Sequence, residues 1–252
     1  MSSEITLGEL LLEKLIIIDF GSQYTHLICR RIRELKVKAE IIPWYNASGL
    51  SPDGVKGVIF SGGPMSVCDE NSPKVDLSLI EMLRKKRIPI LGICYGHQLL
   101  AYLLGGEVRR GKKKEYGPAY LEVINNGKLL RGLDKTERVW MSHGDKVTEL
   151  PSDFILLGKT VNCPIVAYES KDGLIFGVQF HPEVRHTPKG KVILKNFLDA
   201  CGFEYEWILE NIIDNIIMNI VEQVGNSRVL MAASGGVDST PAAFLIHKAI
   251  GD

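Results

Sequence analysis

Short apolar runs alternate with segments of helical periodicity along the N-terminal part of the chain. Each run is rich in β-branched residues and too short for a helix, which is typical of strands that are covered on both faces. The predicted strands are 15–20, 39–43, 57–60 and 88–93, and the predicted helices are 24–35 and 73–86. This alternation predicts an α/β fold with a mostly parallel sheet and helices on both faces. We expect the active site at the carboxyl ends of the strands.

The hydrophobic pattern changes after residue 115. Further short strands between turns are predicted at 120–123, 138–141 and 174–180, and a closing helix at 189–201. Residues 14–201 are therefore predicted to form one domain.

A second unit begins after this domain. Its predicted elements are an amphipathic helix at 204–224, a strand at 228–233, a turn at 234–239 and a helix at 240–249. One strand and one helix cannot close a domain. We therefore expect residues 204–252 to hold a linker helix and an incomplete second α/β unit.

Composition and charge narrow the classes of function. Lys plus Arg and Asp plus Glu number 30 each, so no net field favours nucleic acid or a membrane as partner. Five cysteines without a C-x-x-C pair argue against a disulfide framework and against a metal site. Residues 1–13 lack the features of a secretory signal, and no apolar run approaches the ~20 residues that span a bilayer. We expect a cytoplasmic protein.

The segment G-I-C-Y-G-H-Q (92–98) places Cys94 between a predicted strand and the apolar stretch 99–104. Glycines two positions before and after the cysteine allow a tight, strained turn, because a Cβ at either position would clash. At a helix N-terminus, free N–H groups and the positive end of the helix dipole favour a thiolate. The pattern indicates a nucleophile, although G-x-C-x-G alone is also compatible with a buried structural cysteine.

The segment F-H-P-E (180–183) offers groups that would activate a thiol. Pro182 favours extended geometry at His181, which places the side chains of His181 and Glu183 on the same side. A carboxylate beside an imidazole fixes its tautomer and supports the imidazolium, as the third member of a Cys-His-acid triad. Alone, H-P-E is also compatible with a polar turn.

The segment S-G-G-P (61–64) ends the third predicted strand, a neighbour of the strand that leads to Cys94. Its glycines present bare backbone N–H groups. One of these and the N–H of the residue after the nucleophile can form an oxyanion hole. A simple strand-ending turn is the alternative.

Together, these segments resemble the class I (triad-type) glutamine amidotransferases over about residues 14–201. The resemblance rests on D-F-G-S-Q-Y (19–24), S-G-G-P (61–64), G-I-C-Y-G-H-Q (92–98), M-S-H-G-D (141–145) and V-Q-F-H-P-E-V (178–184). It implies a flavodoxin-like α/β fold. It also implies Cys94 as the nucleophile, His181 as base and acid, and Glu183 as the residue that orients His181.

The same resemblance implies the groups that hold the substrate. The backbone N–H groups of Gly63 and Tyr95 would form the oxyanion hole. The M-S-H-G-D segment lines the glutamine pocket in the family, mainly through its backbone. The candidate glutamine-binding residues are Gln98, Ser142, His143 and Gly144. Glutamine hydrolysis requires no cofactor in this family.

A second motif, S-G-G-V-D-S (234–239), lies between a predicted strand and a helix, where backbone N–H groups can hold an anion. It lacks the spacing and the lysine of a Walker A loop. A Ser/Gly turn would be the simpler interpretation if it stood alone. It resembles the S-G-G-x-D-S loop of ATP pyrophosphatases, which implies ATP or pyrophosphate binding by Ser234, Gly235, Gly236, Val237, Asp238 and Ser239.

The order of the two motifs resembles the GMP synthase family. The resemblance implies hydrolysis of glutamine to glutamate and ammonia for the ATP- and Mg²⁺-dependent amination of XMP to GMP in purine biosynthesis. The domains with most of the ATP and XMP contacts would follow residue 252, so we expect a truncated chain that does not complete GMP synthesis alone. Two alternatives stay open: an amidotransferase subunit that serves a separate synthetase, and a non-catalytic relic.

Overall fold

The computed structural model describes residues 13–232 and 234–251, without the side chains at positions 112, 113, 209, 210 and 215. The chain divides into two compact units, of which the first is Glu13–Phe203 and the second contains the described residues after 203. Apart from Glu13, the segment considered as a secretory signal lies outside the described residues. Among the helices of the described part, none has the length and apolar character to cross a membrane.

The strands of the described part are β1 (Lys14–Asp19), β2 (Ala39–Pro43), β3 (Val55–Phe60), β4 (Ile90–Ile93), β5 (Glu107–Val123), β6 (Thr136–Glu149), β7 (Phe154–Lys159), β8 (Ala167–Ser170) and β9 (Ile175–Val178). The α-helices are α1 (Thr25–Glu34), α2 (Leu77–Lys85), α3 (Tyr95–Leu103), α4 (Gly190–Cys201), α5 (Leu209–Val224) and α6 (Ser239–Ile250). A short 3₁₀ helix covers Trp44–Gly49. Helix α2 begins at Leu77 and not at residue 73, because Asp76 before it has extended backbone geometry.

The strands form one mixed sheet, which in the described residues has nine strands in the order β2-β1-β3-β4-β9-β8-β7-β5-β6. The half from β2 to β9 is parallel, and the strands from β8 onward pair antiparallel with their neighbours. The α/β fold with a parallel sheet is confirmed. In the antiparallel part, which extends one edge of that sheet, the predicted strands 120–123 and 138–141 fall within the longer β5 and β6, whereas β7 and β8 were not predicted.

The helices cover both faces of the parallel half. The crossovers β1–α1–β2 and β3–α2–β4 run in opposite directions along the sheet, so right-handed connections place α1 and α2 on opposite faces. One core therefore joins α2 and α3 to alternate strand residues such as Val58, Phe60 and Ile90. On the other face, Phe176 meets Phe197 of α4 with ring centroids 5.9 Å apart.

The sheet order brings three loops together at the carboxyl ends of neighbouring strands. Strand β4 lies between β3 and β9, and all three run parallel. Their carboxyl ends lead to the S-G-G-P turn, to Cys94 and to His181, respectively. Parallel strands place such loops at the same end of the sheet, so these distant segments of the chain lie side by side.

The second unit contains α5, the loop 234–239 and α6. The predicted strand 228–233 is wrong over its described residues, because 228–232 are not in a strand and Ala233 lies outside the described part. An isolated strand has no ladder for its backbone N–H and C=O groups. In the described part of this unit, no second strand is present to pair with it. The predicted helix 204–224 begins at Leu209, after Ile208 in extended geometry.

Candidate active site

Cys94 lies at a strained elbow between β4 and α3. Its φ of 55° and ψ of −103° lie in a region that L-residues rarely adopt. Its N–H donates to the carbonyl of Val178 at 2.8 Å, which ties the elbow to the end of β9. Such strain costs on the order of 1–3 kcal/mol and persists only where the surroundings determine the backbone, as at a positioned nucleophile.

The glycines two positions before and after Cys94 allow close packing, Gly92 within the turn and Gly96 against the neighbouring strand β3. A Cβ at Gly92 would lie 2.5 Å from the carbonyl carbon and oxygen of Gly96. A Cβ at Gly96 would collide with the carbonyl oxygen of Phe60, the last residue of β3. The prediction that side chains at these positions clash is therefore confirmed.

His181 and Glu183 meet directly. The Nδ1 atom of His181 lies 2.7 Å from Oε1 of Glu183, and both side chains are buried. Residues 182 and 183 form a turn, so a turn and not an extended strand brings the two side chains together. A proton on Nδ1 donated to the carboxylate leaves Nε2 free to exchange protons with a reacting group.

The backbone around His181 is held from several sides. Its N–H donates to the carbonyl of Trp140 at 3.0 Å, and its carbonyl accepts from the Thr187 hydroxyl at 2.7 Å. The same hydroxyl oxygen accepts the N–H of Trp140 at 3.1 Å, and Arg31 donates to the carbonyl of Glu183 at 3.0 Å. These contacts fix the imidazole relative to the sheet.

The electrostatics of His181 favour its charged form. Burial alone would lower the pKa of His181, but the negative charges of Glu183 and Cys94, with their hydrogen bonds, outweigh it and hold this pKa well above its usual value. His181 is therefore held as an imidazolium next to Cys94 and Glu183. The structure thus joins Cys94, His181 and Glu183 in one electrostatic unit.

The two backbone N–H groups expected to form the oxyanion hole belong to adjacent segments. A Cβ at Gly63 would lie 2.8 Å from the carbonyl oxygen of Phe20 and 3.2 Å from Cγ of Tyr95, so only glycine fits there. Tyr95 is the first residue of α3, and its N–H has no acceptor within its own helix. Gly63, Tyr95 and Cys94 line the same cleft.

This cleft has a volume of about 850 Å³ and brings most of the predicted residues together. Gln98, Ser142, His143 and Gly144 all line it, and the carbonyl oxygen of Ser142 lies 3.5 Å from Sγ of Cys94. A cleft of this size with converging polar groups suits a small polar substrate.

The amide nitrogen of Gln98 is already occupied. Nε2 donates to the carbonyl of Asp145 at 2.8 Å and to Oε1 of Gln179 at 3.0 Å. Gln98 therefore holds the backbone of the M-S-H-G-D segment, and its Oε1 is the atom that remains for a substrate.

Sequence reasoning assigned no role to several residues of the cleft. The Tyr24 ring stands edge-on to the His181 ring, with centroids 5.1 Å apart. Asp69 and Arg110 form an ion pair of 2.6 Å in the lining of the cleft. The D-F-G-S-Q-Y motif contained a signal for Tyr24, but nothing in the pattern pairs Asp69 with Arg110.

A buried cluster of Glu115, His143 and Cys163 lies beside the cleft. It is the one group of the described residues whose potential metal-ligand atoms all lie within 4.8 Å of one another. Burial raises the pKa of the Cys163 thiol to about 12, so the thiol stays protonated, and it donates to the carbonyl of Ile165. Glu115 accepts from the Thr160 hydroxyl at 3.3 Å.

The predicted phosphate loop lies in the second unit and is mostly exposed. Gly235 has a φ of 75°, and Asp238 is the N-cap residue of α6. The hydroxyl oxygens of Ser234 and Ser239 lie 3.1 Å apart across the loop. The described part of the loop therefore lies at the N-terminus of α6, as the sequence predicted.

Comparison with known proteins identifies the family. The family described as glutamine amidotransferase class-I matches residues 16–201. A GMP synthase [glutamine-hydrolyzing] from Carboxydothermus hydrogenoformans is 50% identical over 242 residues, which cover 95% of this chain and 47% of that protein. The corresponding protein from Symbiobacterium thermophilum is 49% identical over 241 residues, which cover 94% of this chain and 46% of that protein. The chain thus spans about half the length of these curated relatives.

Two solved structures share the fold of this chain. A Thermoplasma acidophilum protein described as a candidate subunit of GMP synthase is 33% identical, with a TM-score of 0.68 over 75% of this chain and 94% of that one. A glutamine amidotransferase from Thermotoga maritima, 22% identical, shares the fold with a TM-score of 0.61 over 75% of this chain and 97% of that one.

Proposed function

This chain belongs to the class I glutamine amidotransferase family, and we propose that it hydrolyses the side-chain amide of glutamine at Cys94, with His181 and Glu183 as the other members of a triad. The observation that carries the proposal is the meeting of these groups at the ends of β4 and β9. The strained elbow, the 2.7 Å contact of His181 with Glu183 and the raised pKa of His181 support it.

In the first stage, the Cys94 thiolate attacks the amide carbon of glutamine. The oxyanion that forms is stabilised by the N–H groups of Gly63 and Tyr95, which present fixed dipoles where charge develops. His181 then protonates the departing ammonia, which leaves a glutamyl thioester on Cys94.

In the second stage, a water molecule replaces ammonia in the site. Nε2 of His181 takes a proton from this water, which attacks the thioester carbon and displaces the Cys94 sulfur as glutamate forms. Glu183 holds His181 in one orientation and stabilises its charged form through both stages.

We further propose that the ammonia serves the amination of XMP to GMP. Curated GMP synthases match 95% of this chain at 45–50% identity, and the match includes the region of the second unit. The loop Ser234 to Ser239 would hold the pyrophosphate of ATP, with Mg²⁺, while a synthetase domain or subunit supplies the XMP site. The five cysteines are unpaired, which supports a reducing compartment such as the cytoplasm.

An amidotransferase chain that feeds a separate synthetase chain is the second candidate. It is favoured by the solved protein described as a candidate subunit of GMP synthase, of which this chain covers 94%. The two candidates share the glutaminase reaction and differ in how the synthetase is linked.

The test is release of glutamate from glutamine by the purified 252-residue chain, with Cys94→Ala as the blank. The assay is repeated with ATP, Mg²⁺ and XMP, and again with an added synthetase. We expect the chain to release glutamate in every case. We expect GMP to form only when the synthetase is present, and no GMP when ammonium replaces the synthetase. Equal glutamate release by the chain and its Cys94→Ala variant would overturn the proposed function.

A further inference from the structure

His143 makes two hydrogen-bonding contacts that together indicate how many protons its ring and its partner must carry. Its Nδ1 lies 2.8 Å from the carbonyl oxygen of Asp145, and its Nε2 lies 3.2 Å from Oε2 of Glu115. A carbonyl oxygen can only accept, so Nδ1 carries a proton. In a neutral imidazole, the other nitrogen is then an acceptor.

The contact between His143 and Glu115 therefore needs one more proton. An ionised carboxylate also only accepts, and two acceptors at 3.2 Å repel each other. The His143 and Glu115 side chains are only 4% and 11% exposed, so bulk water does not relieve the conflict. One proton, carried by His143 or by Glu115, must lie between them.

The surroundings make this proton costly to hold on His143. Burial lowers the pKa of His143, the Asp145 carbonyl and Glu115 oppose that effect, and the charge of Lys146 adds to it. The other titratable neighbours stay neutral: the pKa of Cys163 is raised to about 12, and burial with the proximity of His143 lowers the pKa of His97 to about 3. If His143 carries the proton as an imidazolium, the negative charge of Glu115 is what offsets its positive charge.

The His143–Glu115 pair lies next to the wall of the cleft beside the nucleophile, which His143 itself lines. Glu115 and His143 are cross-strand partners on β5 and β6, and the register of these strands shifts between Arg110 and Glu115. The carbonyl of Ser142 contacts Sγ of Cys94 at 3.5 Å, and the carbonyl of Asp145 receives His143. The pair thus holds the Asp145 end of the stretch whose Ser142 end contacts Cys94.

We propose that Glu115 is a positioning residue for the reaction at Cys94: through one proton shared with His143, it holds the Ser142–Asp145 backbone against the nucleophile. The inference rests on the proposed function. Its consequence is a decline of activity as pH rises through the loss of this shared proton, separate from the titration of His181. When the shared proton leaves, two buried acceptors face each other and the segment shifts.

Three variants test this proposal. In Glu115→Gln, an amide N–H donates to the bare Nε2 of neutral His143 without any extra proton, so we expect most of the activity to be retained and the decline that follows loss of the shared proton to be absent. In Glu115→Ala, the anchor is gone, and kcat/KM for glutamine should fall about tenfold or more. Glu122→Gln, on the same strand with a side chain 63% exposed, is the matched control and should behave as the unmodified chain.

A second readout does not depend on glutamine. Imidazole ¹⁵N NMR should show Nδ1 of His143 protonated throughout and a second proton lost as pH rises, whereas in Glu115→Gln the ring stays neutral over the whole range. Iodoacetamide alkylation of Cys94 should follow the same pH dependence. These measurements decide the inference even if glutamine is not the substrate, in which case only the proposed function fails.

Several results would overturn the proposal. One is an identical pH dependence in the unmodified chain and Glu115→Gln, by both activity and alkylation. Another is a Glu115→Ala variant that matches Glu122→Gln in every assay. A third is one equivalent of zinc that copurifies with the chain and is lost in Glu115→Ala, because a cation and not a proton would then join Glu115 to His143.

Discussion

Gly96 packs against the backbone carbonyl of Phe60, so closely that no Cβ fits between them. Its N–H also donates to the carbonyl of Ser61 at 3.0 Å. The start of α3 is thereby locked onto the end of β3, the strand that leads to Gly63. One backbone contact thus sets the distance between the elbow at Cys94 and the turn proposed for the oxyanion hole.

Gly96→Ala is expected to damage both stability and activity. The added methyl must displace the Phe60 carbonyl or the elbow itself, and such overpacking costs about 1–3 kcal/mol of unfolding free energy. Urea unfolding and glutamate release measure the two effects. Gly49→Ala is the control, since a Cβ at Gly49 meets nothing within 4 Å. Native stability and activity in Gly96→Ala would contradict the role given to this contact.

Cys94→Ser and Cys94→Ala should abolish glutamine hydrolysis, with a loss of about 10³-fold or more, because they remove the group that forms the thioester. Cys68→Ser is the matched control, because Cys68 is an exposed cysteine that does not line the cleft and whose Sγ contacts the carbonyl of Val108. Glutamate release by each variant is compared with a buffer blank. Loss of activity in Cys68→Ser with retention in Cys94→Ser would reverse the assignment of the nucleophile.

Glu183→Gln should leave residual activity with a changed pH profile. The carboxylate orients His181 and helps to raise its pKa, so its replacement by a neutral amide lowers kcat by up to about 10⁴-fold. The imidazolium persists to high pH in the unmodified chain and is lost as pH rises through the raised pKa of His181. In the variant this loss comes at lower pH, so the alkaline limb of kcat/KM moves down. An unchanged limb would show that Glu183 does not support the charge on His181.

Deletion of residues 226–252 should leave the first unit folded. This unit, Glu13–Phe203, is compact by itself and contains the whole sheet of the described residues. We expect the unfolding midpoint to change by less than about 4 °C and glutamine hydrolysis to persist. A deletion from residue 190 is the contrasting variant, because it removes Phe197 of α4 from its contact with Phe176. Loss of cooperative unfolding in the first deletion would show that the removed residues stabilise the sheet.

The sequence by itself determined the features that depend on neighbouring residues. The requirement for glycine at position 92 is local, because a Cβ there meets Gly96, four positions along the same turn, whereas Gly96 is confined by Phe60 of β3. His181 and Glu183 meet because only one residue separates them, although the connection is a turn. The parallel strands were readable for a similar reason, since each is a short apolar run between helices. The prediction of a strand at 228–233 is wrong over its described residues because a strand also needs a partner strand, which a local sequence pattern does not supply.

Only the tertiary structure decided the contacts that depend on register and on sheet order. Glu115 faces His143 because β5 and β6 pair with an irregularity between Arg110 and Glu115, and an irregularity of this kind changes which side chains meet. Thr187 holds His181 because its loop returns to the end of β9. Such pairings depend on the free energy of the whole packed sheet, whereas the requirement for glycine at position 92 depends on the excluded volume of a few adjacent atoms. The proposed nucleophile could therefore be predicted from the sequence, whereas the residues that position the wall of the cleft beside it could not.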